Sequence, residues 1–228
     1  MDSTGASFGE IHLRPTRILD FADPAIVKAL TQLAAAGDAR QFLTAAHAWV
    51  SATVRPRYSM DDFQAASRTL RVGAGSCSQK MALLEALSRG HGIPTRVHGF
   101  LVDGSYWRAR FPRMTWILPS TVPLAWPEFL VDAEWIDLSQ VGAVAAPDAS
   151  RPEFANVGAN TMFEAAPTHH LPWSCAFEGP GRCPLDSSLV DDLGTFDTRD
   201  AFYASSVRPY PRAIAWLGDM LLRFKRVA

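Results

Sequence analysis

The residue with the most chemical content is a cysteine at a helix start. Cys77 follows Ser76 in the run "GAGSCSQKMALLEALSRGHGIP". Ser76 with Gln79 three residues later has the pattern of a capping box, so the helix opens at the cysteine. Backbone N–H groups left unpaired in a first helical turn, together with the helix dipole, stabilise an anion there. They lower the pKa of a thiol and favour the nucleophilic thiolate. The same N–H groups can receive an oxyanion when a thiolate attacks a carbonyl. The alternative is that Cys77 is a small buried apolar residue, as many free cysteines are.

A thiol nucleophile needs a partner for its proton, and the chain has six histidines. His98 lies on the predicted strand that follows the cysteine helix. His169 and His170 lie in a stretch rich in turn formers that can fold over a site. Each is equally readable as a solvated or hydrogen-bonded imidazole. His47, in "HAWV", sits inside a helical pattern ahead of the cysteine and reads as an ordinary helix residue. Asp137, at the end of "LAWPEFLVDAEWIDLS", is the candidate carboxylate; the alternative is a surface group at a strand end. His169, His170, Cys175 and Cys183 do not have the spacing of the paired zinc knuckles, so no metal is expected. No cofactor motif is present either. Arg96, Arg108, Arg110 and Arg113 are candidates for binding a substrate carboxylate. Of the tryptophans Trp107, Trp116, Trp126 and Trp173, most are expected in the core, with one or two lining a pocket.

The elements that position these groups are readable in outline. "DPAIVKALTQLAAAG" has Asp23 as N-cap and Pro24 at the first helical position, and closes near Gly37. "DARQFLTAAHAWVSATV" has helical spacing. "MDDFQAASRTLRVG" reads as a third helix stopped by Gly73. Residues 1–20 are expected to be a loose arm with one strand at most. In the cysteine helix, Met81, Leu84 and Leu87 or Ser88 mark one inward face, and Gly90 to Gly92 end it. Pro94 enforces an extended entry into the strand "TRVHGFLV". "RMTWILP" and a hairpin turning at Asp132-Ala133 supply further strands. "VGAVAAPDASRPEFANVGANT" lacks periodicity and reads as a loop or lid, "THHLPWSCAFEGPGRCPLD" is irregular too, and the Gly and Pro of 147–184 suit a lid or equally a passive excursion. "PRAIAWLGDMLLRFKRVA" reads as an amphipathic closing helix, with Ile214, Leu217, Met220, Leu221 and Phe224 on one side.

Two motifs carry a resemblance. "GAGSCSQKMALLEALSRGHGIPTRVHGF" resembles the core of the transglutaminase-like (papain-like) superfamily, in which a glycine turn precedes a nucleophilic cysteine at a helix start. "AAHAWVSATVRPRYSMDD" resembles the helix and Tyr-Ser run ahead of that cysteine. "LAWPEFLVDAEW" resembles the family's second motif, His-Ala-Trp-x-Glu followed by a turn and Trp-x-x-x-Asp, with Trp126, Glu128 and Trp135 in register. The resemblance covers residues 42 to 140 and puts Cys77 at the nucleophile. It departs from the family at the other two catalytic places. Leu124 stands where the histidine belongs, and Ser139 where the aspartate belongs. Asp137 lies two residues earlier on the same strand face, about 6–7 Å away.

The order of elements, helices first, then a small antiparallel sheet, then loops and a closing helix, gives an α+β class, expected as a single domain of residues 1–228. Its transglutaminase-like core spans about 42–140, with N-terminal helices packed on a small antiparallel sheet. Residues 141–228 form a loop-rich extension with the closing helix. Leucine can neither accept nor return a proton, so amide hydrolysis, which needs a general acid, is handicapped. The expected activity is an atypical cysteine-dependent one on a small acyl or activated carbonyl substrate, small-molecule or carrier-bound: acyl transfer, thioester exchange or lyase-type chemistry, by analogy with a family that includes peptidases, amidases and biosynthetic acyltransferases. Two alternatives stand beside it. One is a catalytically inactive binding module. The other is a Cys/His hydrolase or amidase with its base recruited from His98, His169 or His170. The expected catalytic set is Cys77, Asp137 and His98. The expected pocket comprises Leu124, Trp126, Trp116, Ser139, His169 and His170.

The composition is compatible with this. Of 228 residues, 48% are hydrophobic and 20% charged, with a net charge of -1. That balance gives no electrostatic reason to expect nucleic acid or an anionic membrane as partner. No apolar run approaches the roughly 20 residues of a membrane span, and the N-terminus does not read as a signal peptide. Three cysteines fit reduced thiols, so a cytoplasmic location is expected and a Cys175–Cys183 disulfide is not.

Overall fold

The computed structural model describes residues 10–110, 118–142, 151, 152, 154, 156, 160–169 and 189–205. Two capped helices come first. α1 (Pro24–Leu33) starts where Asp23 accepts from the Ala25 amide, and turns Ile26, Ala29 and Leu33 inward. α2 (Ala39–Thr53) starts at Asp38, whose carboxylate accepts from the Gln41 amide in a capping box, and buries Phe42, Leu43, Ala46 and Val50. A two-residue strand, β1 (Arg55–Pro56), pairs in parallel with β2 (Ala74–Gly75), the residues just before the cysteine. Between them α3 (Ala66–Val72) ends on Gly73, whose φ of 62° is the left-handed cap that glycine accepts without a Cβ clash. The helix expected over 60–72 is therefore shorter: residues 60–65 are not helical.

α4 (Cys77–His91) is the central element. The sequence pattern pointed to one inward face, but every residue from Gln79 to Arg89 is buried. α1, α2 and α3 pack against this helix, and so does the sheet. The polar residues on it are tolerated because each has a partner. Arg89 donates to Thr95 Oγ1 and to the carbonyls of Arg14, Thr95 and Asp197, and Ser88 donates to the Leu84 carbonyl.

The sheet runs in the order β5-β4-β3-β6 and is antiparallel throughout. β3 (Thr95–Asp103) pairs with β4 (Thr121–Val131), placing Phe100 opposite Leu124 and His98 opposite Trp126. β4 returns as β5 (Glu134–Asp137) through a two-residue turn at Asp132 and Ala133. Both turn residues have positive φ, 53° and 65°, as a type I′ hairpin requires even without glycine.

Two expectations about the flanks are corrected. The N-terminal arm is not loose from residue 18 on, because Ile18 and Leu19 are fully buried in the core. Residues 10–22 contain no strand. Nor is the C-terminal part only loops and a helix. β6 (Leu189–Phe196) joins the sheet beside β3, and α6 (Arg199–Ala204) packs on β3 and β4. The sequence around β6, "LVDDLGTF", is too polar to alternate visibly, because most of the strand is partly exposed. The strand predicted in "RMTWILP" falls mostly outside the described residues. The closing helix at 211–228 and most of the loop or lid at 147–184 lie outside them too.

α6 is tied down by a buried ion pair. Arg199 and Glu85 of α4 are both fully buried and joined through Arg199 Nε at 2.8 Å; Arg199 Nη2 also donates to the Ala125 carbonyl at 3.1 Å. Gly99 of β3 makes room for this docking. A Cβ there would stand 2.5 Å from the Phe202 ring. The C-terminal element is thus part of the core.

Candidate active site

Ser76 caps α4. Its hydroxyl accepts from the Gln79 amide at 3.2 Å, and its own amide donates to Gln79 Oε1 at 3.1 Å. The Gln79 side chain also donates to Ser59 Oγ and the Asp61 carbonyl, which pins the 59–61 loop to the cysteine turn. On the far side, Ser78 Oγ meets Tyr203 Oη at 2.9 Å and Arg199 Nη1 at 3.3 Å. The first turn of α4 is therefore held from two directions, by a loop before it in sequence and by α6 more than a hundred residues after it.

Cys77 itself is partly exposed and is a free thiol. The helix start acts on it as expected: the Ser78 N–H donates to the sulfur and favours the thiolate. The balance nonetheless goes the other way. Burial among protein atoms pushes the thiol up to about 11, with the charges of Asp62 and Glu164 adding to the rise and Arg110 opposing it. The expected activated thiolate is thus corrected: in the free protein the thiol is protonated at neutral pH. Protein atoms crowd the sulfur closely even though the residue keeps some exposure.

Among the described residues, the charged groups that act most on the thiol are Asp62, Glu164 and Arg110, with Tyr106 close enough to feel its charge. None is an imidazole. His98 is bound elsewhere: Nε2 meets Asp192 Oδ1 at 2.6 Å and Nδ1 stands 3.9 Å from Glu128 Oε1. His169 Nδ1 meets its neighbour Thr168 Oγ1 at 2.9 Å. His47, read as an ordinary helix residue, is a packing group: Nε2 meets the Phe163 carbonyl at 2.7 Å, and the ring stacks on Phe163 at 4.5 Å. His170 and Trp116 lie outside the described residues.

The hairpin residues fall into scaffold positions. Leu124 is 3% exposed and belongs to the hydrophobic core, as does Trp126. Glu128 binds Arg96, whose guanidinium lies 4.3 Å over the Trp135 ring. Asp137 caps a 3-10 turn at Leu138–Gln140 and accepts from the amide and the hydroxyl of Ser139. Its carboxylate is spent on local structure, and Ser139 is its donor.

Sequence reasoning missed the polar cluster beside the thiol. Lys80, one turn along α4 from Cys77, is fully buried and paired with Glu164 of α5 (Met162–Ala165). Arg110 Nε donates to Asn156 Oδ1 at 2.6 Å, and Asn156 Nδ2 donates to the Tyr106 carbonyl at 2.8 Å. A lysine at i+3 from the cysteine is visible in the sequence as a same-face neighbour. Its carboxylate partner, distant in the chain, carries no local signal.

Among the described residues, no group of His, Cys, Asp or Glu could hold a metal ion, and no helix is long and apolar enough to cross a membrane. Residues 26–139 match the family model described as the transglutaminase-like superfamily. No curated protein matches the chain. A crystal structure from Cytophaga hutchinsonii, described as that of a candidate cysteine protease, resembles it at 16% identity with a TM-score of 0.45. That match covers 91% of this chain and 50% of the other, so the chain spans about half the length of that protein.

Proposed function

The chain belongs to the transglutaminase-like superfamily, and on that premise we propose that it is a cysteine-dependent enzyme whose nucleophile is Cys77 and whose substrate is a small or carrier-bound acyl thioester. The observation that carries this reading is the pairing of a capped, doubly anchored cysteine turn with a buried leucine at the family's histidine place.

The chemistry follows from Leu124 at the family's histidine place. Cleaving an amide requires a proton for the departing amine, and Leu124 has none to give. A thioester is different. Cys77 S–H attacks the acyl carbon, a new carbon–sulfur bond forms, and the bond to the leaving sulfur breaks. The leaving thiolate takes up the proton that Cys77 loses. The exchange balances without an imidazole. It also suits a thiol that is protonated in the free protein, because the proton is given up only as the leaving group departs. An acceptor thiol then attacks the acyl carbon, its new carbon–sulfur bond forms as the bond to Cys77 breaks, and its proton returns to the Cys77 sulfur.

The test is direct. Incubation with a short acyl N-acetylcysteamine thioester should add one acyl mass to the intact protein. Cys77→Ser should abolish the adduct. The matching amide should give none. An adduct that survives in Cys77→Ser, or no adduct with any thioester, sinks the reading.

The high thiol pKa favours one second reading, a binding module in which Cys77 is a packing residue. It predicts no acyl-enzyme and an unchanged thermal midpoint on adding thioester.

A further inference from the structure

The thiol of Cys77 has a buried ion pair one helical turn away. Cys77 and Lys80 are spaced i, i+3 on α4 and so share a helix face. The Lys80 side chain is fully buried, and its ammonium binds the Glu164 carboxylate and lies 5.7 Å from the Phe163 ring centroid. Glu164 is itself held in place, since its Oε2 accepts from the Thr161 amide at 3.0 Å and from the Thr161 hydroxyl. His47 of α2 fixes the same segment through the Phe163 carbonyl. Helices α2, α4 and α5 thus converge on one buried polar cluster.

Such a cluster needs a reason. Desolvating two charges offsets most of their attraction, and well-packed apolar residues in the same place are often as stable or more so. The pair is therefore poorly explained as a stabilising device. Its position offers another explanation. The pair is built on the helix face that Cys77 shares, the Glu164 charge acts on the thiol, and an unopposed carboxylate there would hold Cys77 protonated.

We propose that Lys80 is a positioning residue for Cys77: its ammonium cancels the Glu164 charge beside the thiol, so the cysteine loses its proton more readily with the pair intact than when facing Glu164 alone. Glu164 is the brake that Lys80 opposes. The inference rests on the reading of Cys77 as the nucleophile and names the groups that set its ionisation. Six titratable or charged side chains surround the thiol and the pair among the described residues: Asp62 from the loop before α3, Tyr106 and Arg110 from the 3-10 turn after β3, and Lys80, Glu164 and His47. The first three are common to all variants compared.

The experiment compares iodoacetamide alkylation of Cys77 in the full chain at pH 8, with folding checked by circular dichroism. The variants are Glu164→Gln, Lys80→Met and the double variant. Relative to the double variant, Glu164→Gln should react roughly tenfold faster and Lys80→Met roughly tenfold slower, each the equivalent of one pKa unit. A merely structural pair would move both single variants in the same direction, or neither, and that result overturns the proposal. If Lys80→Met fails to fold, Glu164→Gln decides against wild type: a faster rate supports the proposal, and an equal or slower one overturns it. The outcome is separable from the functional reading. An acyl-enzyme that forms while the single variants do not split removes only this inference. A split without an acyl-enzyme removes only the thioester chemistry.

Discussion

Asp137 accepts two hydrogen bonds from Ser139, one from its amide at 2.7 Å and one from its hydroxyl at 2.5 Å. The two residues that compete for the family's aspartate place are thus bound to each other. The carboxylate present in the sequence is occupied as the cap of a 3-10 turn, with Gln140 Oε1 completing the box on the Asp137 amide at 2.9 Å.

Removing that cap should therefore affect stability and leave the thiol unmoved. Asp137→Ala is expected to cost about 1 kcal/mol, the usual loss for a side-chain cap. In a chain of this size that lowers the thermal midpoint by about 2–4 °C. The rate of Cys77 alkylation at pH 8 should stay at the wild-type value. A clear fall in that rate, with the fold intact, would return Asp137 to the catalytic set.

The pH profile of Cys77 has a definite sign. Its pKa is raised from 9.0 to about 11, so the neutral thiol is the favoured form up to unusually high pH. Iodoacetamide reactivity should climb about tenfold per pH unit from 7 to 10 and level off only near 11. The folded state gains from the neutral thiol fully below pH 9, and that gain is lost as the pH rises through about 11. A plateau reached below pH 8 would contradict the burial that dominates the site.

Leu124→His places an imidazole at the family's histidine position. The site is 3% exposed, so a stability cost of about 1–3 kcal/mol is expected from burying a polar ring. In exchange, an imidazole beside the thiol should bring the alkylation midpoint down and add a second inflection near pH 6–7. An unchanged profile in the folded variant would show that the position does not face Cys77.

Arg199→Met tests how far α6 supports the cysteine turn. Breaking a fully buried ion pair by removing one partner costs about 3–5 kcal/mol, because Glu85 is left charged in the core. The thermal midpoint should fall by about 10 °C or more. Arg199→Met combined with Glu85→Met should recover most of that loss. Equal loss in the single and double variants would show that packing, not the ion pair, holds α6.

Much of this was legible in the residues. The capping box at Ser76, the Asp23 cap and the glycine stop at Gly73 all form where their patterns put them. Each is a local signal satisfied within a few residues, so sequence spacing is enough to read it. The hairpin register follows for the same reason. A two-residue turn at Asp132 and Ala133 sets which residues of β4 and β5 face each other.

The superfamily scaffold and the place of its cysteine can be read from residue types and spacing alone. The periodicities and caps act over one or two turns, and the two motifs keep their spacing. The state of the thiol and the company it keeps depend on the folded arrangement. The helix start favours a thiolate, yet burial and two carboxylates from separate segments outweigh it. Lys80 meets Glu164, Ser78 meets Tyr203 and Glu85 meets Arg199 only because distant segments pack around α4. Desolvation and charge pairing depend on where atoms end up in space, and no local pattern of residue types records that.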